Sequence, residues 1–339
     1  MATVIVMAGA VSWLLTGLLR RYALAKSLLD IPNARSSHSA PTPRGGGVAI
    51  VLTFLGALPW FAYAGWLAPR TVIGFAGAGV LVALIGFLDD HRHVAARWRL
   101  LVHFGAVTWG LYWLGGLPPL AIFGSALDTG WAGQLAAAVC LVWLLNLYNF
   151  MDGIDGIAGI EAITVCLGGV LIYWLTMPEA QVWAPGLLLA AAVAGFLIWN
   201  YPPAKIFMGD AGSGFLGLML GLLAVQAAAM HSMLFWAWVI LLGSFVVDAT
   251  VTLLRRLVSG ERVYEAHRSH AYQYASRKFA SHKAVSLAYG LVNLLWLLPL
   301  AVGVATGRLD GLTGVLIAYL PLTGAAFYLK AGAGRLQDV

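Results

Sequence analysis

Four short polar stretches hold most of the side chains in this chain that are capable of chemistry. Asp89 and Asp90 are adjacent and end an apolar run. Asn146, Asn149, Asp152 and Asp155 crowd the stretch NLYNFMDGIDG. Phe207 and Asp210 lie in FMGDAGSG, and His267, Arg268 and His270 lie in AHRSHAYQ. Two aspartates at a helix C-terminus oppose the helix dipole, so a cation is needed to offset them. Gly-rich turns entering helices allow close ligand approach and favour anions such as phosphate. Helix capping alone accounts for Asp155 or Asp210 taken singly. It does not account for the crowding around Asp152. Carboxylate oxygens suit magnesium, which takes one or two of them plus substrate phosphates. The pair His267 and His270 lacks the further Cys or His ligands of a zinc site, and with Arg268 it suits phosphate instead. The expected chemistry is metal-assisted handling of a phosphate ester.

The elements that must position these groups are membrane helices. The chain has 339 residues, 61% hydrophobic and only 10% charged. That excludes an ordinary soluble enzyme, a disordered tail and a disulfide scaffold. Apolar runs lie near 3–19, 46–67, 71–88, 99–117, 132–148, 157–176, 184–200, 212–230, 233–254, 284–305 and 311–330. They are continuous rather than alternating, so they read as helices. The sequence predicts an all-α, polytopic membrane protein of eleven spans, forming one domain over residues 1–339. A polar loop over 255–283 carries the His-Arg-Ser-His motif. Glycines such as Gly74, Gly77, Gly79, Gly214, Gly217 and Gly221 permit close helix packing. Cys140 and Cys166 sit inside apolar runs and read as buried hydrophobes.

The charges orient the bundle. Lys and Arg total 20 against 14 Asp and Glu. With the N-terminus outside, all of the 20 except Arg70 and Arg308 fall on the cytoplasmic side. The +6 surplus is therefore a topology signal and not evidence of nucleic-acid binding. The polar stretches fall on that same side, whereas a transporter should show polarity at mid-membrane and on both faces. Asp248, about two turns before Arg255, is expected to tune the site or to pair with a cytoplasmic arginine. Glu161 has the same ambiguity, and His103 reads as a satisfied intramembrane group.

Together with DIPNARSSHSAPTPRGGG near the N-terminus, these stretches resemble the polyprenyl-phosphate N-acetylhexosamine-1-phosphate transferase superfamily. Its members include the peptidoglycan translocase MraY and the surface-polysaccharide initiators WecA and WbpL. The motifs occur in the family's order over most of the chain and look most like the WbpL-type branch. The resemblance implies transfer of a sugar 1-phosphate from a UDP-N-acetylhexosamine to undecaprenyl phosphate. Mg²⁺ is the implied cofactor, with Mn²⁺ as a substitute, and UMP is released. The WbpL-like motifs lean towards a 6-deoxy donor and a role in O-antigen synthesis. A UDP-GlcNAc-specific, WecA-like activity is the alternative. The implied catalytic residues are Asp89, Asp90 and Asp152, and the implied metal ligands are Asp210 and Asp90. His38, Arg44, Asn149, Asp155, Phe207, His267, Arg268 and His270 are the implied substrate contacts, with Phe207 stacking on uracil. The inserted Arg268 departs from the family's histidine-rich motif and points to a donor other than the peptidoglycan precursor. The expected location is the bacterial inner membrane, and the resemblance is compatible with a homodimer. A resemblance of DGIDGIA to CDP-alcohol phosphotransferases fails because Gly159 replaces a required arginine.

Overall fold

The computed structural model describes residues 1–32, 37, 40–92, 94–261 and 267–333. His38 lies outside the described residues. The chain forms α1 (Ala2–Ala25), β1 (Leu29–Asp30), β2 (Thr42–Pro43), α2 (Val48–Tyr63), α3 (Pro69–His91) and α4 (Ala96–Leu114). A short hairpin of β3 (Leu120–Ile122) and β4 (Ser125–Leu127) leads to α5 (Gly130–Met151), α6 (Ile157–Thr176), α7 (Ala184–Asn200) and α8 (Asp210–Met230). Then follow α9 (Ser232–Leu241), α10 (Gly243–Val258), α11 (Ala271–Phe279), α12 (His282–Val292), α13 (Leu298–Ala305) and α14 (Gly311–Tyr328). The protein is an all-α membrane protein whose only described strands are two small antiparallel pairs.

Among the described residues, eight helices are long and apolar enough to cross a membrane. A ninth is gained if α9 and α10, bent by 66° at their junction, count as one span. The expected eleven is reached only by adding α2 and α4, which do not meet that standard. α2 is short and contains Pro59. α4 opens with Arg97 and Arg99 and contains His103, which lowers its hydropathy. α12 and α13 form one continuous span through a π-helical stretch, Asn293–Leu297. Pro299 follows directly and has no N–H to close a bond to the Leu295 carbonyl, and π-turns commonly accommodate such a lost bond.

α8 is the axis of the bundle, with 89% of its span buried. Burial from all sides explains why its sequence is apolar all round rather than amphipathic. Gly217 sits against the Leu144 carbonyl and the Tyr148 side chain, where a Cβ would find no room. This is the close packing its small residues imply.

The chain's alternating passage brings many termini to one end of the bundle. They are the C-terminal ends of α3, α5, α7 and α10 and the N-terminal ends of α2, α4, α6, α8 and α12. Bonds between distant segments mark that end: Gly47 N–H to the Met208 carbonyl at 2.8 Å, Asp210 N–H to Asp90 at 3.1 Å and Gly156 N–H to Asn200 at 3.0 Å. All four polar stretches of the sequence are at this end.

Candidate active site

Asp90 is buried and anchors the start of α8. Its Oδ1 accepts the Asp210 N–H at 3.1 Å and its Oδ2 accepts the Ala211 N–H at 3.3 Å. Carboxylates favour helix N-termini for this reason. The Arg44 guanidinium donates to the Asp90 carbonyl. Arg44 is placed by backbone bonds that join its loop to the strand-like stretch before α8. Phe207 N–H donates to the Pro43 carbonyl at 2.8 Å, and Gly46 N–H donates to the Phe207 carbonyl at 2.9 Å. Phe207 is thus held at the junction of two of the sequence motifs.

Asp89 faces a different partner. Its Oδ1 accepts the Val94 N–H at 2.7 Å, and its Oδ2 lies 2.5 Å from Nη1 of Arg99. The same Arg99 nitrogen lies 3.5 Å from Oδ2 of Asp210. Arg99 therefore bridges two of the predicted aspartates. In the sequence Arg99 reads as one more positive-inside charge, with no hint of this role. Its position at the first turn of α4, ten residues from Asp89, carries no helical periodicity because a loop intervenes.

Asp152 lies just beyond α5, part-buried. Burial, and then the charges of Asp210, Asp90 and Asp155, push its carboxyl well above the usual carboxylate range. No described residue donates a hydrogen bond to that carboxylate. Nearby, Asn149 accepts from the Ser213 hydroxyl at 2.7 Å, joining α5 to α8. A cavity of about 30 Å³ opens beside Asp210, lined by Arg99, Asn146, Asn149 and Gly86 among others.

Asp155 is tied into protein contacts. Its Oδ1 lies 3.3 Å from Nδ1 of His282, its Oδ2 accepts the Ala204 N–H at 3.0 Å, and its carbonyl accepts the Ser286 hydroxyl at 2.8 Å. His282 also reaches the Ser37 carbonyl at 3.1 Å. His282 and Asn200 were not singled out from sequence, since Asp155 and Gly156, which they meet in the fold, lie 127 and 44 residues away.

The histidine motif packs on Asp248. The rings of His267 and His270 stack with centroids 4.8 Å apart. His270 is buried, with Nδ1 3.5 Å from Oδ1 of Asp248. Burial, and then the His270 and Arg256 charges, depress His267 to about 3, so it is neutral near pH 7. Arg268 is exposed, and its carbonyl accepts from Arg277 at 3.0 Å. Among the described residues Asp248 pairs with no arginine, contrary to one of its two expected roles. Its oxygens accept the Ala271 and Tyr272 N–H groups at 2.8 and 3.0 Å, whereas Arg255 donates to the Ala331 carbonyl at 2.5 Å. Glu161 accepts from Ser244 at 2.8 Å and Asn293 at 2.7 Å inside the bundle, away from the site.

No group of three or more His, Cys, Asp or Glu among the described residues is close enough to cage a metal alone. Magnesium does not need such a cage. Asp210, with a 35% exposed side chain, and Asp152, with no donor among the described residues, are the two carboxylates suited to meet a cation. Asp90 and Asp89 are occupied by amides and by Arg99. The donor set therefore fits a hard divalent ion held by one or two carboxylates plus phosphate oxygens.

Comparison with known proteins identifies the family. Residues 72–228 match the family described as Glycosyl transferase family 4. The chain is 30% identical over 346 residues to the decaprenyl-phosphate N-acetylglucosaminephosphotransferase of Mycolicibacterium smegmatis, covering 88% of this chain and 80% of that protein. It is 27% identical over 292 residues to a probable undecaprenyl-phosphate N-acetylglucosaminyl 1-phosphate transferase of Bacillus subtilis, covering 84% and 79%. It is also 27% identical over 242 residues to a phospho-N-acetylmuramoyl-pentapeptide-transferase of Streptococcus pneumoniae, covering 66% and 71%. The chain belongs to glycosyl transferase family 4, the superfamily of polyprenyl-phosphate sugar-1-phosphate transferases. The match does not single out the WbpL-type branch.

Proposed function

We propose that this protein transfers an N-acetylhexosamine 1-phosphate from a UDP-sugar to undecaprenyl phosphate at the cytoplasmic face of the bacterial inner membrane. The observation that carries this reading is the convergence of Asp89, Asp90, Asp152 and Asp210 with Arg99 at the end of an apolar bundle. A lipid phosphate and a soluble diphosphate can meet only at such a boundary. The near-exclusive placement of Lys and Arg at that end supports the orientation.

An oxygen of the acceptor phosphate attacks the β-phosphorus of the donor. The bond from that phosphorus to the oxygen bridging the two phosphates breaks, and UMP leaves with the bridging oxygen. Phosphoryl transfer needs alignment and charge neutralisation more than covalent help. Mg²⁺ held by Asp210 and Asp152 would supply neutralisation of the diphosphate. Arg99 contributes a second positive charge and is steered by Asp89. Asp90 fixes the first amides of α8, which sets where Asp210 stands. The family resemblance assigns Phe207 and Asp155 to the uridine, with His282 bracing Asp155, while Arg268, exposed on the histidine loop, suits a donor phosphate. The lipid phosphate is anionic at neutral pH, so direct displacement is the simplest route.

The curated relatives named above act on N-acetylglucosamine or N-acetylmuramoyl-pentapeptide donors. The WbpL-like motifs favour a 6-deoxy-N-acetylhexosamine for surface polysaccharide. Purified protein should be incubated with undecaprenyl phosphate, Mg²⁺ and UDP-GlcNAc, UDP-GalNAc, UDP-FucNAc or UDP-QuiNAc. UMP release that requires both lipid and Mg²⁺ supports the reading, and the preferred donor settles the sugar. UMP release that ignores EDTA counts against the metal.

A further inference from the structure

The carboxylate of Asp152 has no donor among the described residues, so something other than its own hydrogen bonds must fix its position. The backbone on either side of it is held by α11. The Tyr272 hydroxyl donates to the Phe150 carbonyl at 2.9 Å. A Cβ added at Gly153 would lie 2.1 Å from that same hydroxyl and 3.2 Å from Nε2 of Gln273. Tyr272 thus presses on the chain two residues before Asp152 and one residue after it.

α11 in turn is fixed by one buried carboxylate. Asp248 is 3% exposed. It accepts the Ala271 N–H at 2.8 Å and the Tyr272 N–H at 3.0 Å, the first two amides of α11. It also accepts the Tyr289 hydroxyl at 2.6 Å and the Thr252 hydroxyl at 3.2 Å. A nine-residue helix has little stability of its own and takes its place from such anchors. Asp248 sits in α10, just past the 66° bend that separates it from α9.

We propose that Asp248 and Tyr272 are positioning residues for Asp152, acting as one unit through α11. Asp248 sets the start of the helix, and Tyr272 transmits that setting to the Phe150–Gly153 turn. This rests on the function proposed above for Asp152.

Tyr272→Phe is the direct test, because it removes one hydroxyl from a side chain whose ring stays packed. Two readouts are taken on the folded, purified protein. The first is UMP release, with kcat and donor KM measured separately. We expect kcat to fall about 10-fold, with KM changed less than about twofold, as for a displaced reacting group. The second is amide hydrogen exchange over residues 149–156, which needs no turnover. It should speed up there and stay unchanged in α8. Asp248→Asn should give the same split, and the double variant should lose little more than the worse single one, because both act through one helix. Tyr272→Phe with wild-type kcat and unchanged exchange at 149–156 overturns the proposal. So does an additive double variant whose losses are confined to melting temperature. If the wild type releases no UMP with any donor, the functional reading fails, while the exchange measurement still decides whether α11 holds this turn.

Discussion

Replacing Gly86 by alanine tests the geometry around Asp90 with one added methyl group. Gly86 lies one turn before Asp90 in α3, against the first residues of α8. A Cβ there would sit 2.6 Å from the Ala211 nitrogen and 2.7 Å from the Ala211 Cα and the Asp210 carbonyl carbon. Ordinary contact begins at 3.4 Å, so α3 and the start of α8 must part by about 0.8 Å. The neighbours are backbone, which cannot swing aside as a side chain would. The Asp90 bonds to Asp210 and Ala211 start at 3.1 and 3.3 Å, and such a shift carries them beyond about 3.5 Å, where a hydrogen bond is lost. Overpacking of this kind costs about 1–3 kcal/mol of stability. Because the shift moves Asp210 relative to Asp89 and Asp90 by nearly 1 Å, kcat should fall about 100-fold. The assay is UMP release per folded molecule, with folding followed by thermal denaturation in detergent. Gly105→Ala is the control, since a Cβ there meets nothing within 4 Å. A Gly86→Ala protein whose kcat stays within about threefold of wild type would refute the reasoning, because misplacement on this scale cannot be silent in a site that works by alignment.

Three further outcomes are expected. Arg99→Gln should lower kcat about 100-fold, and Arg99→Lys should recover part of it, because the charge beside Asp89 and Asp210 matters; steady-state kinetics will show this. His282→Ala should raise donor KM more than it lowers kcat, since His282 braces Asp155 and the loop through Ala204; initial rates across donor concentration will show this split. His267 is held at about 3 in the fold against 6.5 as its ordinary value, so the unfolded chain binds the extra proton between those values. Stability should therefore fall as pH drops from 6.5 towards 3, and His267→Gln should remove part of that slope in melting curves taken against pH.

The candidate site was legible where residues close in sequence come together in the fold. Asp89 with Asp90, and Asp152 within its glycine turn, stand out because carboxylates are scarce in an apolar chain. The bundle was legible from its continuous runs. The span count was less so: the run over 233–254 is continuous, broken by no charge but Asp248, and hides the bend between α9 and α10, and α2 and α4 are weakly qualified by length or charge. Roles set by pairing across the fold carried no local signal. Arg99 looks like any loop arginine until α4 turns it onto Asp89. His282 meets Asp155 from 127 residues away. Asp248 reads as a lone intramembrane acid, yet it accepts the first amides of a helix that starts 23 residues later.

The central claim is that this carboxylate cluster breaks one particular bond of a UDP-sugar and moves the β-phosphate, with its sugar, onto a lipid phosphate. It is tested most directly with donor labelled at the β-phosphate, assayed for label in the organic-extractable lipid against UMP in water. Lipid label and UMP should appear in equal amounts, label placed on the α-phosphate should stay in the aqueous UMP, and Asp152→Asn and Asp210→Asn should abolish both products. Label recovered as water-soluble sugar phosphate, α-label carried into the lipid, or undiminished transfer by those two variants would contradict it.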